Sequence, residues 1–297
     1  MSLPQPGIFA LGTTSHVYLE FDLRPRGSGA DLIAQVASMR EPRTTIGGVN
    51  LVCGFRPEVW AAAVPDAAPD GVHGFNVPVA GADGLVFPAT QHDAVIWLTG
   101  ASYDLAFDVS HAVTTTLLPI ADLAHELVGW PYHADRDLTG FIDGTENPTL
   151  VEATGIVMIP DGAAGAGGSV LLLQQWEHDV MDWEALGVEA QEQVMGRRKS
   201  DSEELDPKPE DSHVARNDQD EFGKIFRRNI GWGTLSEHGT IFSGFSADQR
   251  ILERMLRSMA GLDGSPRDAL TRFTQALTGA YYFVPSVEQL AAVATSS

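Results

Sequence analysis

His16-Val17-Tyr18-Leu19-Glu20-Phe21-Asp22-Leu23 changes character from one residue to the next, the period of a β-strand whose two faces meet different surroundings. Working outward, Ala30 to Met39 carries Leu32, Ile33, Val36 and Met39 at helical spacing. Val49 to Cys53 and Ala94 to Leu98 are short apolar runs with glycine nearby, and Ser102 to Leu118 is long enough for a helix. Ala121 to Trp130 fits either a strand or a helix. The order then returns. Ser169 to Trp176 reads as a strand, Trp183 to Met195 as a helix, Lys224 to Ile230 and Thr240 to Phe245 as strands, and Gln249 to Met259 as a strongly amphipathic helix. Ala280 to Val284, stopped by Pro285, closes the series as a strand. Both halves therefore parse as β-α-β-β-α-β, which predicts an α+β protein built from two ferredoxin-like halves with antiparallel sheets, over residues 1–138 and 139–297. Arg56 to Ala89 and Gly196 to Asp220 fall outside this pattern as long loops, and loops of that length in a folded protein tend to carry function.

The chain has 297 residues with 19 Lys+Arg against 40 Asp+Glu. Six basic residues face 17 acidic ones up to residue 150, and 13 face 23 after it, so the acidity is not confined to a tail. This balance argues against nucleic-acid binding and against a polybasic membrane anchor. The single cysteine, Cys53, excludes an intramolecular disulfide and a Cys-rich zinc site, and its apolar run suggests a buried structural thiol. No stretch approaches a membrane span and Met1 to Thr14 lacks a signal-like pattern, so the expected location is cytoplasmic.

Thr139-Gly140-Phe141-Ile142-Asp143-Gly144-Thr145-Glu146-Asn147-Pro148 could by itself be no more than turn punctuation. Three further segments change its weight: Asp211-Ser212-His213-Val214-Ala215-Arg216, then Phe222-Gly223-Lys224-Ile225-Phe226-Arg227-Arg228-Asn229-Ile230-Gly231-Trp232-Gly233, then Thr278-Gly279-Ala280-Tyr281-Tyr282-Phe283-Val284-Pro285-Ser286. Together, and in this order, they resemble the dye-decolorizing peroxidases, closest to the compact bacterial branch, over roughly Thr139 to Ser286. The resemblance implies two ferredoxin-like halves and one haem b (iron protoporphyrin IX) per chain, held mainly by the C-terminal half. It also implies reduction of hydrogen peroxide through a ferryl intermediate, oxidation of small organic donors such as dyes and phenolics, and a homo-oligomer.

Residue by residue, the resemblance makes His213 the proximal iron ligand, where histidine count alone leaves His125 and His133 as rivals. It makes Asp143 the distal acid/base and Arg227 the distal cation that stabilises charge on the separating oxygens. Asn229 shares the strand face of Arg227, while Arg228 points away and reads as a solvated edge charge. Arg197 matches a basic motif suited to a haem propionate, and Phe242 is the best candidate for an apolar wall. Asp268 is a possible carboxylate partner of His213. Tyr132, Trp176, Trp183 and Trp232 are candidate surface sites for oxidising bulky donors. The alternative reading is a haem-binding or haem-handling protein with incidental peroxidase activity. Ala294-Thr295-Ser296-Ser297 follows soon after the last motif, so no nanocompartment-targeting tail is expected.

Overall fold

The computed structural model describes residues 2–39, 48–133 and 136–296. In the first half β1 (Ser15–Leu23), α1 (Gly29–Ala37), β2 (Val49–Phe55), α2 (Pro57–Ala63), the small hairpin β3 (Val79–Ala80) and β4 (Val86–Phe87), β5 (Ala94–Gly100), α3 (Tyr103–Leu117) and β6 (Ala121–Trp130) follow one another. The second half opens with a short α4 (Leu150–Ile156). That half contains β7 (Ser169–His178), α5 (Val180–Ala185), α6 (Val188–Met195), α7 (His213–Arg216), α8 (Gln219–Phe222), β8 (Phe226–Gly233), β9 (His238–Ser246), α9 (Gln249–Met259), β10 (Thr274–Ala276), β11 (Ala280–Val284) and α10 (Val287–Ser296). Among the described residues no helix is long and apolar enough to cross a membrane.

Within each half the strands take the same order, last, first, third, second: β6-β1-β5-β2 in one and β11-β7-β9-β8 in the other, all antiparallel. This is the ferredoxin-like arrangement twice over. The two sheets also join, at Phe55↔Phe283 between β2 and β11 and at Gly129↔Trp232 and Trp130↔Gly231 between β6 and β8, so the strands close into a ring. The second seam is tight enough to need glycine: a Cβ on Gly129 would lie 2.6 Å from Ile230 Cγ2 and 2.8 Å from the Gly231 carbonyl oxygen.

Three buried layers result. Leu32, Ile33, Val36, Val113 and Leu117 cover the outer face of the first sheet. Trp97, Leu171, Leu173, Ile230, Ile241 and Phe245 fill the space inside the ring. Leu252, Met255, Leu256 and Met259 of α9 cover the outer face of the second sheet with Leu172 and Trp176. Each such side chain contributes about 1.5–3 kcal/mol when buried.

Ala121 to Trp130 is a strand, because it completes the first sheet beside β1. The single helix read over Trp183 to Met195 is instead two, α5 and α6, interrupted where Gly187 takes φ +73°. The segment read as a loop from Gly196 to Asp220 contains α7 and the start of α8.

The ring interior is not wholly apolar. Glu20 is 3% exposed and accepts a 2.5 Å hydrogen bond from the Tyr282 hydroxyl; burial pushes its carboxyl up to about 7 despite that bond. His16 is fully buried, and burial with the nearby Arg228 charge lowers its imidazole to about 3. A raised carboxyl means that the folded state holds its proton more tightly than the unfolded chain, so Glu20 lowers stability as pH rises from the unfolded value toward 7 and beyond. Replacing Glu20 with Gln should therefore stabilise the protein at pH 8 by on the order of 3 kcal/mol and leave it almost unchanged near pH 4.5. Urea unfolding of both proteins at the two pH values checks this; an equal difference at both would contradict it.

Candidate active site

β8 sets the site through its period of two. Phe226 and Ile230 face the ring interior, and Arg227 and Asn229 face the opposite side, where they line a cavity. Arg228 goes inward. Its guanidinium lies 5.2 Å from the Trp97 ring centroid and its Nη1 donates to the Ala10 carbonyl at 2.7 Å, so it is a packed interior cation and not the solvated edge charge read from the sequence.

Asp143 reaches β8 from the connection between the halves. Its Oδ1 accepts from Asn229 Nδ2 at 2.7 Å and its Oδ2 from the Asn229 backbone N–H at 3.2 Å. Arg227 Nε lies 3.4 Å from Asp143 Oδ1, with both side chains largely shielded from solvent. Carboxylate, guanidinium and amide thus form one cluster.

His213 opens α7, whose first turn is capped by Ser212 Oγ accepting from the Ala215 N–H. Its Nδ1 is 2.7 Å from Asp268 Oδ2. Asp268 is fully buried, and its other oxygen accepts from the Leu270 N–H at 2.9 Å. Among the described residues no hydrogen bond engages His213 Nε2, so that nitrogen is free to face a ligand. A carboxylate on Nδ1 fixes which ring nitrogen carries the proton and makes the other a better donor to a metal.

His213, Arg227 and Asn229 line the same cavity, of about 860 Å³ including the part open to solvent. Every lining residue lies between Asp137 and Thr274. Leu172, Phe242, Leu252, Met255 and Leu256 make its walls apolar, while Gln174 and Gln219 line it with buried Nε2 atoms that have no hydrogen-bond partner. An apolar cavity with one free imidazole nitrogen and unpartnered amide donors suits a flat macrocycle that carries a metal and polar substituents. The α9 stripe of Leu252, Met255, Leu256 and Met259, whose sequence pattern fits either plain core or a pocket wall, is part of this wall.

Arg197 is not brought to the cavity. Its guanidinium is engaged by Glu146, by Glu204 at 2.8 Å and by the Ser202 carbonyl at 3.0 Å. His125 and His133 do not line the cavity either, and Cys53 is buried elsewhere with its thiol pushed up to about 12 by burial. Trp176 and Trp183 are buried at 8% and 4% exposure, which removes them as surface sites. Two ionisable lining residues escaped the sequence reading. His178 follows Leu172, Gln174 and Trp176 on one face of β7, and burial lowers its imidazole to about 4; extending the alternation by two residues would have found it. Asp137, whose carboxyl burial raises to about 6, carries no signal beyond its closeness to Asp143 in the chain.

Residues 134–289 match the family model for the C-terminal part of Dyp-type peroxidases. The dye-decolorizing peroxidase of Rhodococcus erythropolis strain PR4 is 33% identical over 97% of this chain and 88% of its own length. The crystal structure of a dye-decolorizing peroxidase from Bacteroides thetaiotaomicron VPI-5482 superposes with a TM-score of 0.89 at 27% identity, covering 99% of both chains. A variant of Rhodococcus jostii RHA1 DypB, solved in complex with heme, superposes with a TM-score of 0.84 at 30% identity over 95% of this chain and 96% of that one. Sequence likeness along nearly the whole chain and the doubled strand order thus lead to one conclusion: the chain belongs to the dye-decolorizing peroxidase family.

Proposed function

We propose that this peroxidase would hold one haem b in the Arg227–His213 cavity through His213, and would use Asp143 and Arg227 to reduce hydrogen peroxide at the expense of small organic donors. The observation that carries the reading is the convergence on one apolar cavity of an imidazole backed by a buried carboxylate and of Arg227 and Asn229, both of which engage Asp143 behind them. When bound, haem supplies the iron at which peroxide is reduced and the oxidising equivalents passed to the donor. His213 Nε2 would hold the iron, and Asp268 keeps the proton on Nδ1.

Asp143 would accept a proton from one oxygen of hydrogen peroxide and return it to the other, departing oxygen, so that water and not hydroxide leaves. Asn229 holds that carboxylate through its amide and its backbone N–H. The Arg227 guanidinium stabilises negative charge on the separating oxygens, where the apolar walls make a fixed charge most effective. Phe242 is a wall of the pocket. We place the division between the halves near residue 139, supported by the docking of the Asp143 loop on β8 of the second half. The net charge of −21 favours cationic or neutral donors over anionic dyes at low salt.

Exchanging His213 for Ala should sharply reduce the haem-to-protein ratio while far-UV circular dichroism stays that of the folded protein. Asp268→Asn should weaken haem binding less, by about 10- to 100-fold. A full complement of haem with an unchanged iron coordination spectrum in His213→Ala would overturn the ligand assignment.

The two distal residues separate in stopped-flow mixing with hydrogen peroxide. Arg227→Leu should slow the haem absorbance change by about 10²–10³-fold. Asp143→Asn should slow it by less than about 10²-fold, because the amide can still order a water that relays the proton. Peracids, whose leaving groups need less help from an acid, should partly rescue Asp143→Asn. A normal rate in Arg227→Leu beside a collapsed one in Asp143→Asn would reverse this assignment of roles.

A further inference from the structure

The segment from Gly140 to Pro148 brings more than Asp143 to the edge of β8. Among the described residues β6 pairs with β8 only at Gly129↔Trp232 and Trp130↔Gly231. Beyond Trp130 no strand among the described residues lies beside the β6-facing edge of β8 at Asn229 and Arg227, although a backbone edge in this position needs hydrogen-bond partners. The Asp143 loop supplies them. Asn147 Oδ1 accepts from the Arg227 N–H at 2.9 Å, and Asn147 Nδ2 donates to the Arg227 carbonyl at 2.8 Å. Two residues along, the Asn229 N–H donates to Asp143 Oδ2. One side-chain amide thus makes both bonds that a neighbouring strand would make to Arg227, and the side chains of the loop continue the ladder that β6 leaves unfinished.

The loop is shaped for this. Gly144 has φ +71°, and a Cβ there would lie 2.9 Å from Asn147 Nδ2. The Asn147 N–H closes a turn onto the Gly144 carbonyl at 3.0 Å. On the next residue toward the N-terminus, Glu146 is gripped by Arg197, which also binds Glu204. A residue that served only an Asn-Pro turn would need no paired contact to a strand 80 positions away.

We propose that Asn147 is a positioning residue for the peroxide chemistry: by clasping the Arg227 backbone at both its N–H and its C=O, it fixes Arg227 and Asn229 against Asp143. Arg197 supports the same loop from behind through Glu146. The proposal rests on the distal roles given above to Asp143 and Arg227. Its geometric half is independent of them.

The test uses the holoenzyme. In Asn147→Ala, hydrogen–deuterium exchange read by mass spectrometry on peptides containing Arg227 should accelerate by about tenfold, the loss of one to two hydrogen bonds. The rate with hydrogen peroxide should fall by about 10- to 100-fold, as expected for misplaced reacting groups, with haem content and the KM for the organic donor unchanged. Asn147→Asp keeps the acceptor and loses the donor, and should fall between; it also serves if Asn147→Ala folds poorly. In an Arg227→Leu background, Asn147→Ala should cost little more, because the group it positions is gone. Unchanged exchange, a full peroxide rate, or an undiminished penalty in the Arg227→Leu background would each overturn the proposal. A normal peroxide rate in Arg227→Leu itself would instead overturn the functional reading on which it rests, and is recognisable because the exchange result does not depend on it.

Discussion

Everything around the cavity depends on one strand having two different faces. β8 must give Phe226 and Ile230 to the interior of the ring and Arg227 and Asn229 to the cavity, and the pleat permits this only while its register against β9 is held. A slip by one residue would put Arg228 over the cavity and drive Arg227 into the space occupied by Trp97 and its neighbours. The ladder with β9 runs along the whole strand, from Phe226↔Phe245 to Gly233↔His238, and fixes that register. Arg228 adds a second lock, because its bond to Ala10 and its seat over Trp97 exist only on the inward side.

The imidazole side of the cavity depends on a different constraint. A fully buried carboxylate is costly unless every oxygen is engaged. Asp268 meets this with His213 on one oxygen and the Leu270 N–H on the other, and it also sits at the N-terminal end of a short 3-10 turn over Ala269–Arg272. The imidazole is therefore oriented by a group that is itself held by backbone. Asn217 adds to this by donating to the His213 carbonyl at 3.0 Å, tying down the C-terminal end of the short helix that carries the ring.

Much of this was legible in the sequence because it is periodic or local. Alternation in His16 to Leu23 and helical spacing in Gln249 to Met259 located the elements, and counting them gave the doubled order. The pairing of Asn229 with Arg227 on one face followed from the same alternation. What periodicity does not carry was missed. Nothing in the order of elements says that β2 meets β11, since that seam is a single residue pair. Arg228 was read as solvated because its inward partners, Ala10 and Trp97, lie far away in the chain. Arg197 looked free to meet a propionate because Glu146 and Glu204 become its neighbours only after the loops fold together. Gly187 breaks a helix whose apolar spacing continues on both sides of it.

The closed ring also bears on how the chain matures. Its last seam joins Phe55 to Phe283, so β2 keeps an open edge until β11, more than 200 residues later, has left the ribosome. The first sheet can form early from β1, β2, β5 and β6, but during synthesis it presents both an unpaired margin and an inner face without its cover. Contacts of such long sequence separation form slowly. The nascent first half is accordingly the species most exposed to wrong strand pairing, and arrival of the second half is the step that ends that exposure.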